Sequence, residues 1–150
     1  MPNRYRGTAD ERLALDTYVK LVRAAESVTS RLGSRLADLD LTHSQFGVLE
    51  ALLHLGPLCQ KELGEKILKS SGNVTMVVDN LEKGGLVERV RSREDRRRIA
   101  VHLTAKGREI IERVFPDHAK AVAREMGVLS QDEQEMLGRL CKRVGKGMAT

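Results

Sequence analysis

Between Glu88 and Arg98 the chain carries six arginines, at 89, 91, 93, 96, 97 and 98, against three acids at 88, 94 and 95. The densest part, Arg93-Glu94-Asp95-Arg96-Arg97-Arg98, is polar throughout and reads as a turn. Directly behind it Ile99-Ala100-Val101-His102-Leu103 alternates. Ile99, Val101 and Leu103 point one way, Ala100 and His102 the other, which is the period of a strand. Leu86-Val87-Glu88-Arg89-Val90-Arg91 is a second strand candidate. The two predict a β-hairpin over 86–103 with Arg93, Arg96, Arg97 and Arg98 at its tip and Arg91 beside them. A planar guanidinium matches phosphate oxygens and fits a narrow minor groove, so the chemistry expected of this tip is contact with a polyanion. Asp95 can assist by fixing one arginine through a charge-assisted bond, which pre-orders it. The plainer alternative is a solvated charged turn in which Asp95 neutralises its neighbours.

A second candidate lies just upstream. Ser70-Ser71-Gly72-Asn73 opens a helix whose buried stripe is Val74, Val77, Val78 and Leu81. The opposite surface then carries Gly72, Asn73, Thr75, Met76, Asp79, Asn80 and Lys83. Small polar residues near a helix N-terminus suit the reading of base edges in a major groove. The Ser70 and Ser71 hydroxyls, with the free amides of that turn, suit a phosphate. An ordinary solvated helix face is the alternative. Lys61 and Lys69 flank the preceding turn and are placed either for phosphate or as plain surface.

Other reactive residue types form no catalytic set. Cys59 sits at the start of a short helix, where a thiol can be acidified and react with oxidants; a small inert cysteine is the commoner case. Cys141 is expected in the core of the last helix. Two cysteines in separate segments fit neither a disulfide scaffold nor a structural zinc site. His43 and His54 are eleven residues apart on one helix, about 16 Å of rise, and cannot share an ion. No HExxH, CxxC, phosphate-cradling loop or nucleophile elbow is present, so no metal, cofactor or catalytic residue is expected.

The elements that would position these residues follow from composition and pattern. At 150 residues with 3% aromatics and no Trp, the core must be aliphatic, which favours packed helices. A net charge of +5 is compatible with nucleic acid without proving it. Residues 1–8 are expected to form a mobile arm. A long helix follows over about 10–38, slightly weakened by Gly33. Thr42 and Gln45 make a capping box, with Leu41 stapled to Phe46, for a helix ending at Leu55-Gly56-Pro57. A short helix runs over about 60–68, the next opens at Ser70-Ser71 and stops at Gly84-Gly85, and the hairpin comes after it. Thr104 starts a helix expected to kink near Pro116. Ser130 and Glu133 cap the last helix, whose apolar face is Met136, Leu137, Leu140, Cys141 and Val144. This order is mainly α with a small β-hairpin wing: a winged helix-turn-helix with helical extensions at both ends. No secretory signal or membrane-length apolar run is visible, so a cytoplasmic protein is expected.

Two runs carry a resemblance. Asp95-Arg96-Arg97-Arg98-Ile99-Ala100-Val101-His102-Leu103-Thr104-Ala105-Lys106-Gly107 and Val77-Val78-Asp79-Asn80-Leu81-Glu82-Lys83-Gly84-Gly85-Leu86-Val87-Glu88-Arg89 resemble the signature of the MarR (multiple antibiotic resistance regulator) family. The likeness extends over nearly the whole chain. It implies one domain, 1–150, with a dimerisation region over about 9–40 and 108–148 and a DNA-binding lobe over about 41–107. It implies a homodimeric regulator, a repressor by expectation, on a palindromic operator in double-stranded DNA. Asp95 would orient the wing and Arg97 would enter the minor groove, with Ser71, Asn73, Thr75 and Met76 in the major groove. The family often has arginines where this chain has Met76 and Asn80, leaving more of the affinity to the wing. The resemblance also implies a crevice for a small phenolic or aromatic ligand, on the helices that hold Tyr18, His43 and Phe46; core and cap packing is the other reading of those three. Modification of Cys59 is a further possible trigger. The competing class is a winged helix that binds a partner protein without DNA, for which an apolar rather than cationic tip is expected.

Overall fold

The computed structural model describes residues 4–67 and 71–148. Its helices begin where side chains can satisfy the orphan amides. Thr8, Thr42 and Ser130 each accept from the amide three residues on, at Glu11, Gln45 and Glu133, and those side chains accept from the cap amide in return. Each such box is worth about 1 kcal/mol. They start α1 (Ala9–Ala37), α2 (His43–Leu55) and α6 (Gln131–Lys146). Glu11 and Glu133 are held below the usual carboxylate range by the cap amide first and the cap hydroxyl second. Before α1, residues 4–8 have no regular structure, and the Tyr5 hydroxyl donates to Glu11 Oε2 at 3.3 Å.

Between these lie α3 (Gln60–Ile67), α4 (Ser71–Lys83), β1 (Val87–Arg91), β2 (Ile99–Leu103) and α5 (Ala105–Met126). Pro116 lies inside α5 rather than ending it. The chain forms two compact units, 1–115 and 116–150. In the first, α2, α3, α4 and the hairpin enclose an aliphatic core of Leu49, Leu52, Leu63, Val74, Val78, Leu81, Val101 and Ile111, with Phe46 and Leu41 also buried. The second unit holds the end of α5 and all of α6, which has no buried residue. Its Met136, Leu137, Leu140 and Val144 are exposed. Cys141 is exposed too, contrary to expectation, because its apolar face is left uncovered in the single chain.

Helix α4 ends in a Schellman turn. Gly85 takes φ +74°, its amide bonds Glu82 O, and the Leu86 amide bonds Leu81 O, both at 3.0 Å. The start of α5 then closes on that turn. Thr104 donates its amide to Leu86 O at 3.1 Å and its hydroxyl to Gly85 O at 2.6 Å, and Lys106 Nζ donates to Gly84 O at 3.1 Å. Gly107 is required at this joint, since a Cβ there would lie 1.9 Å from Leu86 O.

The strands are antiparallel, with Val87 opposite Leu103 and Arg91 opposite Ile99. Of the face expected to alternate inward, Val101 is fully buried, Leu103 is half-buried and Ile99 is 37% exposed. The ribbon leaves the core toward its tip. Leu58 exchanges two backbone bonds with Val101, at 2.8 and 3.3 Å, and acts as a one-residue third strand.

Gly107→Ala should lower stability by about 1–3 kcal/mol, as overpacking does, because backbone and not a flexible side chain must move. Urea denaturation reads it. A loss under about 0.5 kcal/mol would mean the joint is looser than described.

Candidate nucleic-acid interface

The wing tip is bonded to itself. Ser92 Oγ accepts from the amides of Glu94 and Asp95 at 3.2 and 3.3 Å. Asp95 Oδ1 accepts from the Arg97 amide at 3.0 Å. The Ser92 amide reaches Arg98 O at 2.8 Å, and the Arg98 amide reaches Asp95 O at 2.9 Å. Arg91 Nη1 donates to Arg96 O at 2.7 Å.

Two expectations change here. Asp95 holds no guanidinium; its short carboxylate closes a turn on the amide two residues along, so it shapes the loop rather than aiming one arginine. The Arg91 guanidinium is engaged on the loop carbonyl. Arg98 stands 3.9 Å from Glu62, a long and exposed pair. Arg93, Arg96 and Arg97 are exposed, and among the described residues none of their guanidinium groups meets an acid.

On α4, the buried stripe is Val74, Val78 and Leu81, with Val77 partly buried. Asn73, Met76, Asn80 and Lys83 are exposed, Met76 at 63%. Thr75 is exposed as well, yet its hydroxyl accepts from Gln60 Nε2 at 3.0 Å and is turned toward α3. Ser71 and Gly72 form the opening backbone of α4. Lys69 and Ser70 lie outside the described residues. Lys61 is exposed on α3.

Three participants escaped sequence reasoning. Arg89, counted with the other arginines, points inward: Nη2 meets Asp79 Oδ1 at 2.6 Å, Nη1 meets Glu82 Oε1 at 2.8 Å, and Nε meets Gln60 Oε1 at 3.0 Å. Gln60 links it to Thr75, and Ser92 organises the tip. No spacing signal marks Arg89 or Gln60, because their contact spans 29 residues.

The expected ligand trio is not brought together. Phe46 is 2% exposed, within the core. Tyr18 lines a hollow of about 670 Å³ with Tyr5, Glu11, Ala14 and Leu15. His43 lines another of about 480 Å³ with Gly47, Glu50, His54, Lys66 and Ile67. The reason is helix rise. His43 Nε2 donates to the carbonyl of Thr29, eleven residues and about 16 Å along α1 from Tyr18. Gly33 makes room for this imidazole, since a Cβ there would stand 2.8 Å from Nε2. His54 stacks edge-on against Phe115, with ring centres 4.8 Å apart.

Cys59 is half-buried immediately before α3. Its thiol, and then its amide at 3.4 Å, bond Glu62 and hold that carboxyl below the usual range. No group of three His, Cys, Asp or Glu able to hold a metal occurs among the described residues. No helix among them is long and apolar enough to cross a membrane.

The profile of the MarR family matches residues 39–98. The HTH-type transcriptional regulator MhqR of Bacillus subtilis is 37% identical over 132 residues, spanning 88% of this chain and 91% of that protein. YkoM, an uncharacterized HTH-type transcriptional regulator of the same organism, is 36% identical over 132 residues, spanning 88% of this chain and 86% of that protein. The crystal structure of Sco3205, a MarR family transcriptional regulator from Streptomyces coelicolor in complex with DNA, superposes with a TM-score of 0.82 at 27% identity, covering 100% of this chain and 94% of that one. With such identity sustained over almost the full length of a regulator, the chain belongs to the MarR family of winged-helix transcription regulators.

Proposed function

We propose that two copies of this chain bind a palindromic operator in the cytoplasm and repress transcription there. The observation that carries this reading is the tip: three exposed arginines with no acid partner among the described residues, on a loop already closed by its own hydrogen bonds. Such a loop has little conformational freedom left to lose on binding, and its charge is directed outward. Arg97 enters the minor groove, while Arg93 and Arg96 take phosphates. Asn73 and Asn80 read base edges, Met76 offers an apolar contact to a thymine methyl, and the opening turn of α4 faces a phosphate. Lys61 adds a phosphate contact. A protein-docking wing is the weaker reading, since this tip has no apolar patch.

In this reading the dimerisation region spans about 9–40 and 108–148, and the DNA-binding lobe about 41–107. Uncovered apolar side chains support it: Leu13, Leu15, Tyr18 and Val19 on α1, and Met136, Leu137, Leu140 and Val144 on α6. A second copy covering them would set the two α4 helices about 34 Å apart, one turn of duplex. Release follows when a small phenolic or aromatic ligand enters the hollow at His43, His54 and Lys66. Its volume of about 480 Å³ falls within the usual range for ligand sites, and a cation at the end of α3 suits an acidic hydroxyl or carboxylate. Cys59 is the weaker trigger, being half-buried before α3.

Four outcomes are expected. Arg97→Ala weakens operator binding at least tenfold, about 1.4 kcal/mol, with thermal stability unchanged, and Asn73→Ala flattens discrimination among operator variants. Fluorescence anisotropy near physiological salt measures both, and wild-type affinity and selectivity in the two variants would refute the assignments. Sedimentation equilibrium finds a dimer that Leu137→Glu/Leu140→Glu dissociates; a wild-type monomer at micromolar concentration contradicts the arrangement. Calorimetric titration with hydroxybenzoates shows binding that Lys66→Ala weakens severalfold, and equal affinity for both proteins would move the ligand elsewhere.

A further inference from the structure

Arg89 is a heavily engaged cation, with every guanidinium nitrogen bonded to a side chain. Its side chain is 21% exposed, against 48% for Asp79 and 42% for Glu82. Three guanidinium nitrogens reach three side chains on two helices. Its own amide donates to the second oxygen of Glu82 at 3.0 Å, so that carboxylate is gripped from both the backbone and the side chain of one strand residue. Asp79 and Glu82 are three residues apart and Thr75 precedes Asp79 by four, so the three form one stripe along α4. Gln60 closes the circuit: its Oε1 accepts from Arg89 Nε, and its Nε2 donates to Thr75 Oγ1, both at 3.0 Å.

We propose that Arg89 is the positioning residue for sequence selectivity: it locks the rotation of α4 against β1 and α3, and through Gln60 it sets the Thr75 hydroxyl. The proposal rests on the reading that α4 enters the major groove. Hydrophobic packing of Val74, Val78 and Leu81 holds α4 on the core from one face. A small roll of the helix would move Asn73, Met76 and Asn80 across base edges. Bonds at three levels of one stripe resist that roll. A planar fork is needed to meet three acceptors in fixed directions, and a lysine cannot reproduce it. Arg89 also offsets two carboxylates that would otherwise stand beside phosphate. Loss of charge and loss of alignment are therefore separated by substitutions that keep the charge.

The test uses the full-length protein, a duplex selected by wild type from a randomised library, and a random duplex of equal length. Arg89→Lys preserves the charge and breaks the fork. Gln60→Ala leaves charge untouched and cuts the link to Thr75. The expected result is a tenfold or greater fall in the selected-to-random affinity ratio for Arg89→Lys and a smaller fall for Gln60→Ala. Random-duplex affinity and the slope of log affinity against log salt should stay at wild-type values, measured well below each variant's melting temperature. An unchanged ratio in both variants overturns the proposal. A parallel loss of selected-duplex and random-duplex affinity in Arg89→Lys also overturns it, since Arg89 would then serve backbone binding rather than selectivity. Should Arg89→Lys fail to fold, the Gln60→Ala ratio decides alone. Wild type that selects no sequence would instead remove the groove reading itself, an outcome distinct from either.

Discussion

A two-stranded ribbon has almost no stability of its own in water, so the wing depends on the core anchors at its base, Val87 at 2% exposed and, above all, Val101. That side chain is fully buried, and its backbone exchanges two bonds with Leu58. Leu58 is in place because α2 stops at Gly56, whose positive φ is easy only for glycine. A helix stop, a one-residue bridge and two buried valines thus fix the base of the hairpin. The turn bonds of Ser92 and Asp95 can then set the tip. Without a fixed base those local bonds would order a loop with no defined direction, and ordering it on DNA would cost affinity.

From this anchor the six arginines of the hairpin divide into separate duties. Arg89 turns inward to α3 and α4 and Arg91 ties the loop, while Arg98 lies beside Glu62. Arg93, Arg96 and Arg97 are exposed, and among the described residues they form no ion pair. The acids divide likewise: Asp95 holds an amide, while Asp79 and Glu82 hold Arg89. A modest net charge of +5 therefore hides a concentrated positive field at one place, and such local focusing governs association with a polyanion.

Local chemistry was legible in the amino-acid sequence and long-range chemistry was not. The boxes at Thr42 and Ser130, the valine stripe of α4 and the stop at Gly84-Gly85 depend on residues within a few positions of one another. The roles of individual arginines do not. Arg89 differs from Arg91 only because Gln60, twenty-nine residues earlier, lies against one of them. Gly33 looked like a weak point in a helix, and its reason is the imidazole of His43. Gly107 belongs to a recognisable run, but its necessity comes from the carbonyl of Leu86. Cys141 follows an apolar period correctly, yet periodicity cannot say whether the covering surface belongs to the same chain.

The central claim is that a rigid cationic tip and the exposed end of α4 occupy neighbouring grooves of one duplex, twice over. Chemical interference on the selected operator tests it most directly, with guanine N7 methylation probing the major groove and adenine N3 methylation the minor groove. The account predicts two N7-sensitive patches about one helical turn apart, each flanked on its outer side by an N3-sensitive patch. A single N7 patch, or N7 sensitivity with no flanking N3 signal, would contradict it.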